Sequence, residues 1–201
     1  NNSFSLGKSA MLQDLGRQRN VLSPHTSASE NGYMQGAAAT IRLSDAIRLT
    51  PFLSYRKTDA TLNIDGSISS LIYTGYHRTI SELNKKNNTS LTAGGMNARW
   101  NLEDFSLGAT AVFTHINRPL SPNKSATYKK IYPEGSNFFN ASLNYSWLHY
   151  PFSVNGETAI NANGAIATMN TLGWHLSQYV EVMGIYRFYS FNYYSLYANA
   201  F

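Results

Sequence analysis

Cysteine is absent from this chain, which removes disulfides, thiolate metal ligands and a cysteine nucleophile at once. Charge is scarce too. Only 13% of the residues are Asp, Glu, Lys or Arg, about half the usual share for a soluble domain, so something else must supply the polarity. No stretch approaches the roughly 18 consecutive apolar residues of a spanning helix. The opening Asn1-Asn2-Ser3-Phe4 has neither the basic nor the long apolar region of an export signal, so any such signal is expected upstream.

Ser, Thr, Asn and Gln supply the missing polarity. They stand beside 14 Tyr, 10 Phe and 3 Trp, a mixture suited to a protein with one face in water and amphipathic rings at a lipid boundary. A hydrophobic share of 43% argues against disorder. The formal charge of +5 is dispersed along the chain rather than gathered in one basic tract. No shift of composition marks a boundary, and residues 1–201 read as one unit.

The dominant pattern is alternation with period two, which sends successive side chains to opposite faces of a strand. Over residues 136–148, Phe139, Ala141, Leu143, Tyr145 and Trp147 share one face, and Asn140, Ser142, Asn144 and Ser146 the other. A helix would scatter the same Asn and Ser around its whole circumference. Phe105, Leu107, Ala109, Ala111 and Phe113 likewise oppose Ser106, Gly108, Thr110 and Thr114, with Val112 as the misfit. Ile47, Leu49, Leu53 and Tyr55 oppose Arg48, Thr50, Ser54 and Arg56, although Phe52 breaks the pattern and Pro51 calls for an edge or a bulge. Residues 152–161 and 180–188 alternate too, and 3–12, 32–43, 89–100 and 165–175 do so less cleanly, for about nine strands.

Alternation also fits a soluble sandwich. The connections separate the two readings. Those at Ser44-Asp45, 101–104, 149–151 and Ser177-Gln178 are short, whereas 13–31, 59–88 and 118–135 are long; only Ala162-Asn163-Gly164 is short where a long one is due. Long and short connections sorted to opposite ends are the habit of outer-membrane barrels. The expected fold is therefore all-β, a transmembrane antiparallel up-and-down β-barrel. Nine is an odd number and an open edge in lipid is costly, so the barrel is expected to be incomplete and the chain truncated at both ends. Within 59–88, Thr79-Ile80-Ser81-Glu82 has the spacing of a capping box and predicts a short helix with Lys85 and Lys86 in its last turn.

The segments Gly32-Tyr33-Met34-Gln35-Gly36-Ala37-Ala38-Ala39-Thr40, Gly75-Tyr76-His77-Arg78-Thr79, Ser81-Glu82-Leu83, Gly156-Glu157-Thr158-Ala159 and Tyr197-Ala198-Asn199-Ala200-Phe201 resemble those of a Bacteroidota family. Its members are outer-membrane β-barrels preceded by a helix-hairpin-helix module and known as helix-hairpin-helix domain-containing proteins. The resemblance extends over nearly the whole chain and implies a barrel that continues past a motif like Asn199-Ala200-Phe201. The module itself is not among these residues, so its DNA-binding role does not transfer, and no catalytic residue comes with the family.

Five histidines, His25, His77, His115, His149 and His175, are the candidates for acid-base or metal work, but their spacing fits no two-histidine metal motif and no Gly-x-Ser-x-Gly elbow accompanies them. We read them as isolated interfacial or loop residues, with His77 and His115 closest to where a rim active site would lie. Arg42, Arg48, Arg56, Arg99, Glu157, Glu181 and Arg187 fall on the polar face, the expected lumen, because a charge in mid-bilayer costs about 2 to 4 kcal/mol. They form either an anion-favouring lumen or, the simpler reading, a structural network of Arg and Glu. Lys124, Tyr128, Lys129, Lys130 and Tyr132 mix base and aromatic, which suits solvated loops or lipopolysaccharide better than nucleic acid.

The expectation is a non-enzymatic bacterial outer-membrane barrel, without cofactor or metal, serving as a pore or transport component or as the membrane anchor of a periplasmic module. Outer-membrane lipid, lipopolysaccharide and other envelope proteins are its expected partners. The alternatives are a barrel enzyme that hydrolyses lipid or peptide at the rim and a soluble secreted glycan-binding sandwich.

Overall fold

The computed structural model describes residues 34–124, 132–177 and 179–197. The strand expected over 3–12, the connection 13–31, His25, Tyr128, Lys129, Lys130, Gln178 and the closing motif beyond Tyr197 lie outside them. The described residues form a ten-stranded sheet: β1 (Gln35–Ala38), β2 (Ile41–Arg42), β3 (Ile47–Leu62), β4 (Ile68–Ile72), β5 (Thr89–Asn101), β6 (Phe105–Leu120), β7 (Gly135–His149), β8 (Phe152–Asn161), β9 (Ile166–His175) and β10 (Glu181–Tyr189). Antiparallel ladders join β3, β5, β6, β7, β8, β9 and β10 in succession, and β1 and β2 flank β3 on its other side. No described helix is long and apolar enough to cross a membrane.

Residues 34–43, the described part of the strand expected over 32–43, form two strands. The reason lies on the neighbouring strand. Ala39 N–H reaches the Pro51 carbonyl at 3.2 Å, but Pro51 has no N–H to return, and the ladder breaks between Ala38 and Ile41. The two misfits of the alternation pattern explain each other. Phe52 pairs with Gly95, and Gly95 with Val112, so both apolar side chains stand on the polar face as neighbours. The Phe52 ring lies over the bare Gly95, where an added Cβ would be 2.6 Å from Phe52 Cζ.

The connection expected over 59–88 contains the end of β3, a further strand and a short helix. β3 continues through Leu62, turns at Asn63–Ser67 and returns as β4, with Gly66 at φ +80° and the Asp65 carboxylate accepting from the Ser67 N–H and hydroxyl. β4 also meets β6 in a single parallel bridge, Ile68 to Leu120. The helix α1 (Ile80–Leu83) has both halves of its capping box: Glu82 N–H donates to Thr79 Oγ1, and Thr79 N–H to Glu82 Oε2. It ends at Asn84, so Lys85 and Lys86 lie past the last turn rather than in it.

The buried core sits at this end of the sheet. Ala60, Ile68, Leu91, Ile116 and Leu120 pack together, flanked by Leu62, Leu71, Phe138 and Leu196. Leu196 comes from residues 190–197, which leave β10 and run back across the sheet. Asn161 Nδ2 donates to the Asn192 carbonyl and Asn140 Nδ2 to the Tyr194 carbonyl, both at 3.0 Å, and Thr114 Oγ1 reaches Tyr197 at 3.2 Å. The segment is a strap over β8, β7 and β6, on the face that carries Asn140, Asn161 and Thr114.

Candidate functional site

All seven charged residues singled out in the sequence share that same face. Cross-strand partners stand side by side on one surface, and the ladders fix a single row: Arg42, Arg48, Arg99, Gly108, Asn144, Glu157, Met169 and Arg187, each directly opposite the next. Arg56 lies on β3 eight residues past Arg48, an even step, and Glu181 pairs with His175 at the other side of the sheet. Sequence reading gave the face but not the row, because register depends on turn lengths.

The order within the row matters. Arg42, Arg48 and Arg99 occupy adjacent strands, so arginine faces arginine where an alternating Arg and Glu network would place an acid. Glu157 enters the row only on β8, three strands from Arg99. The Arg48 Nε is buried without a hydrogen-bond partner, as is Asn101 Oδ1, diagonally across the β3–β5 ladder. One row further, Asn97 Nδ2 donates to Thr110 Oγ1 at 2.8 Å and Thr40 shares a hydrogen bond with Thr50, so the flanking polar groups satisfy each other without charge.

The opposite face is apolar and uncovered. Leu53, Leu143 and Leu172 are 61%, 56% and 53% exposed. Near the short turns Trp100, Phe105, Trp147, Phe152 and Trp174 all lie on this face, with Phe152 and Trp174 stacked at 5.9 Å. Near the other end Tyr55, Phe113, Phe139 and Phe188 repeat the pattern. Between them Ala98, Ala109, Ala111 and Ala141 form a shallow depression of about 480 Å³. Polar side chains on this face bond to one another: Tyr145 hydroxyl to Asn170 Oδ1 at 2.9 Å, Asn170 Nδ2 to Thr168 Oγ1, and Thr168 to Thr158 at 2.8 Å.

Each described histidine has a side-chain partner. His77 Nε2 is 2.7 Å from Asp59 Oδ2, His115 Nδ1 2.7 Å from Asn137 Oδ1, His149 Nδ1 3.0 Å from Asp104 Oδ2, and His175 Nε2 3.7 Å from Glu181 Oε1. The Asp59 to His77 pair is the feature that most resembles acid-base machinery. Its carboxylate also takes the Asn87 N–H, however, and so holds residues 77–87 against the end of β3. Among the described residues no group of three or more His, Asp or Glu could hold a metal ion. Lys124, from the basic loop, is paired with Glu134.

Sequence reasoning missed the strap. Residues 190–197 carry no periodicity, and only their aromatic richness hinted at burial. Burial pushes the Tyr194 hydroxyl well above its ordinary value, and the nearby Tyr73 adds to the shift. Comparisons with protein-family models, with curated proteins and with solved structures find no match to this chain.

Proposed function

We propose that the chain is a non-enzymatic bacterial outer-membrane β-barrel protein that acts as a pore or transport component, or as the membrane anchor of a periplasmic module. The observation that carries this reading is the uncovered apolar face bounded at both ends by aromatic rings. In water such a surface is a liability, because monomers rarely expose a contiguous apolar patch of more than a few hundred Å². In a bilayer it is the required outer surface, with the rings at the two interfaces.

Dimensions agree. From Phe139 to Trp147 is eight steps along β7, about 27 Å at roughly 3.4 Å per residue. A strand tilted by about 40° then spans roughly 21 Å of membrane normal, close to the apolar band about 25 Å tall of such barrels. The bonded set Tyr145, Asn170, Thr168 and Thr158 also fits, because polar groups facing hydrocarbon must satisfy one another. The polar face, with its charges and amides, becomes the lumen, and the strap 190–197 lies across its long-loop end.

The test is fractionation of cells that make the full-length protein, followed by reconstitution in planar bilayers. Recovery with the outer membrane and discrete conductance steps are the expected results for a pore, and membrane recovery without conductance points to the anchor. Recovery in the soluble fraction contradicts both.

A further inference from the structure

We propose that Arg42, Arg48 and Arg99 form a binding site for a small dissolved oxyanion, a phosphate or carboxylate group, on the polar face of the sheet. The three are direct cross-strand partners on β2, β3 and β5. Like charges directly opposite one another destabilise a sheet. The flanking positions on the same face, Thr50, Asn97 and Asn101, are uncharged. An anion held among the three arginines relieves the repulsion between them.

Hydrogen bonding points the same way. A guanidinium has donors and no acceptor, so the buried and unpartnered Nε of Arg48 is a donor that an oxyanion held among the three arginines would satisfy. An oxyanion supplies acceptors and negative charge together, and the guanidinium fork matches it with two parallel bonds. Gly108, next in the row after Arg99, has no side chain, and the Asn144 amide leans over the vacant position. That places an uncharged amide at the flank of the cluster. The unbroken β3–β5 ladder from Ile47 to Thr58 fixes the backbone spacing of Arg48 and Arg99 before any ligand arrives, so only side-chain ordering is left to oppose binding. Glu157 bounds the site, since a carboxylate three strands along the row repels an anion that strays towards it.

The site lies on the face opposite the uncovered apolar one. In the outer-membrane reading, on which a role in transport rests but binding itself does not, that face meets dissolved solutes rather than lipid headgroups.

The full-length chain, folded in a neutral maltoside detergent, is titrated with inorganic phosphate by calorimetry at constant ionic strength. One saturable site is expected. Arg48→Gln and Arg99→Gln should each weaken it by about tenfold or more, as loss of a charge-assisted pair does. Arg187→Gln makes the same charge change in the same row at the far side of the sheet and should leave affinity within about twofold. Arg48→Lys keeps the charge without the fork and should fall between; with Arg99→Gln it carries the comparison if amide exchange shows that Arg48→Gln does not fold. Absence of saturable binding in the unaltered chain, or an equal loss in Arg187→Gln, overturns the site. Displacement of phosphate by anionic phospholipid added to the micelles overturns the dissolved source in favour of headgroups. Phosphate binding by a chain that never inserts into bilayers would keep the site and remove its transport role.

Discussion

Asp59 Oδ2 lies 2.7 Å from His77 Nε2, and Oδ1 of the same carboxylate accepts the Asn87 N–H at 2.8 Å. One nearly buried acid thus fastens the segment between β4 and β5 at two points to the end of β3. Asn88 adds a third, with Nδ2 donating to the Ala60 carbonyl and Oδ1 accepting from the Ala60 N–H. The helix α1 is a single turn and cannot hold itself in place, so these contacts decide whether the segment is docked.

Asp59→Ala removes the acceptor of both part-buried contacts and should destabilise this end of the sheet by about 1 to 2 kcal/mol. Asp59→Asn keeps one acceptor and should cost less. Amide exchange is the measurement: residues 77–88 should exchange faster in the alanine variant while β7 keeps its protection. Uniform loss of protection through β7 would mean that the contact holds the whole sheet.

Gly95→Ala should destabilise the protein by about 1 to 3 kcal/mol despite the small change in volume. The new Cβ meets the Phe52 ring and the Ala111 carbonyl oxygen, and the second is backbone that cannot step aside. Phe52→Leu in the same chain should recover part of the loss, because only the ring contact is relieved. Thermal unfolding of the four variants forms the cycle, and purely additive effects would show that Phe52 is not the obstacle.

The two halves of that contact illustrate what was legible in the sequence. Strands β5 to β10 were placed within a few residues, most within one or two, because period-two alternation is written locally and needs no partner to read it; the exception is β6, whose C-terminal end runs on to Leu120. Phe52 and Val112 looked like errors of pattern, since their common neighbour Gly95 is distant in the chain. β4 was hidden by the Ser, Asn and Asp around Ile68 and Leu71, although Asp65-Gly66 between Leu62 and Ile68 is a hairpin signal that marks it. The break between β1 and β2 is caused by a proline on another strand. The arginine row needed the register of several ladders, which turn geometry sets and composition does not reveal.

Tyr194 should make the strap sensitive to alkali. Its folded value is raised by burial, so the unfolded chain releases the proton first. The associated stability is complete below about pH 10, where free tyrosine begins to ionise, and declines as pH rises towards the raised folded value. Tyr194→Phe removes this contribution. Between pH 9 and 11.5 the melting temperature of the unaltered chain should fall more steeply than that of the variant, and parallel curves would dissociate Tyr194 from the effect.

Leu143→Arg should impair insertion into bilayers by about 2 to 4 kcal/mol if this position lies near the midplane. Asn144→Arg, one residue on, places the same group on the polar face directly opposite Glu157 and should be tolerated. Refolding yields into lipid vesicles compare the two, and equal yields would argue against a lipid-facing side.

The most direct test of the central claim scans β7 with single cysteines from Phe138 to Trp147, each carrying a fluorophore, in the full-length protein reconstituted in lipid. Residues 1–201 contain no cysteine, so within them every signal belongs to the position chosen. Quenchers confined to the acyl chains should reach labels at 139, 141, 143, 145 and 147 and spare those at 138, 140, 142, 144 and 146, while a water-soluble quencher should not reach the centre of the first set. Quenching without period two, or free access of the water-soluble quencher to Leu143, would contradict a bilayer-spanning sheet.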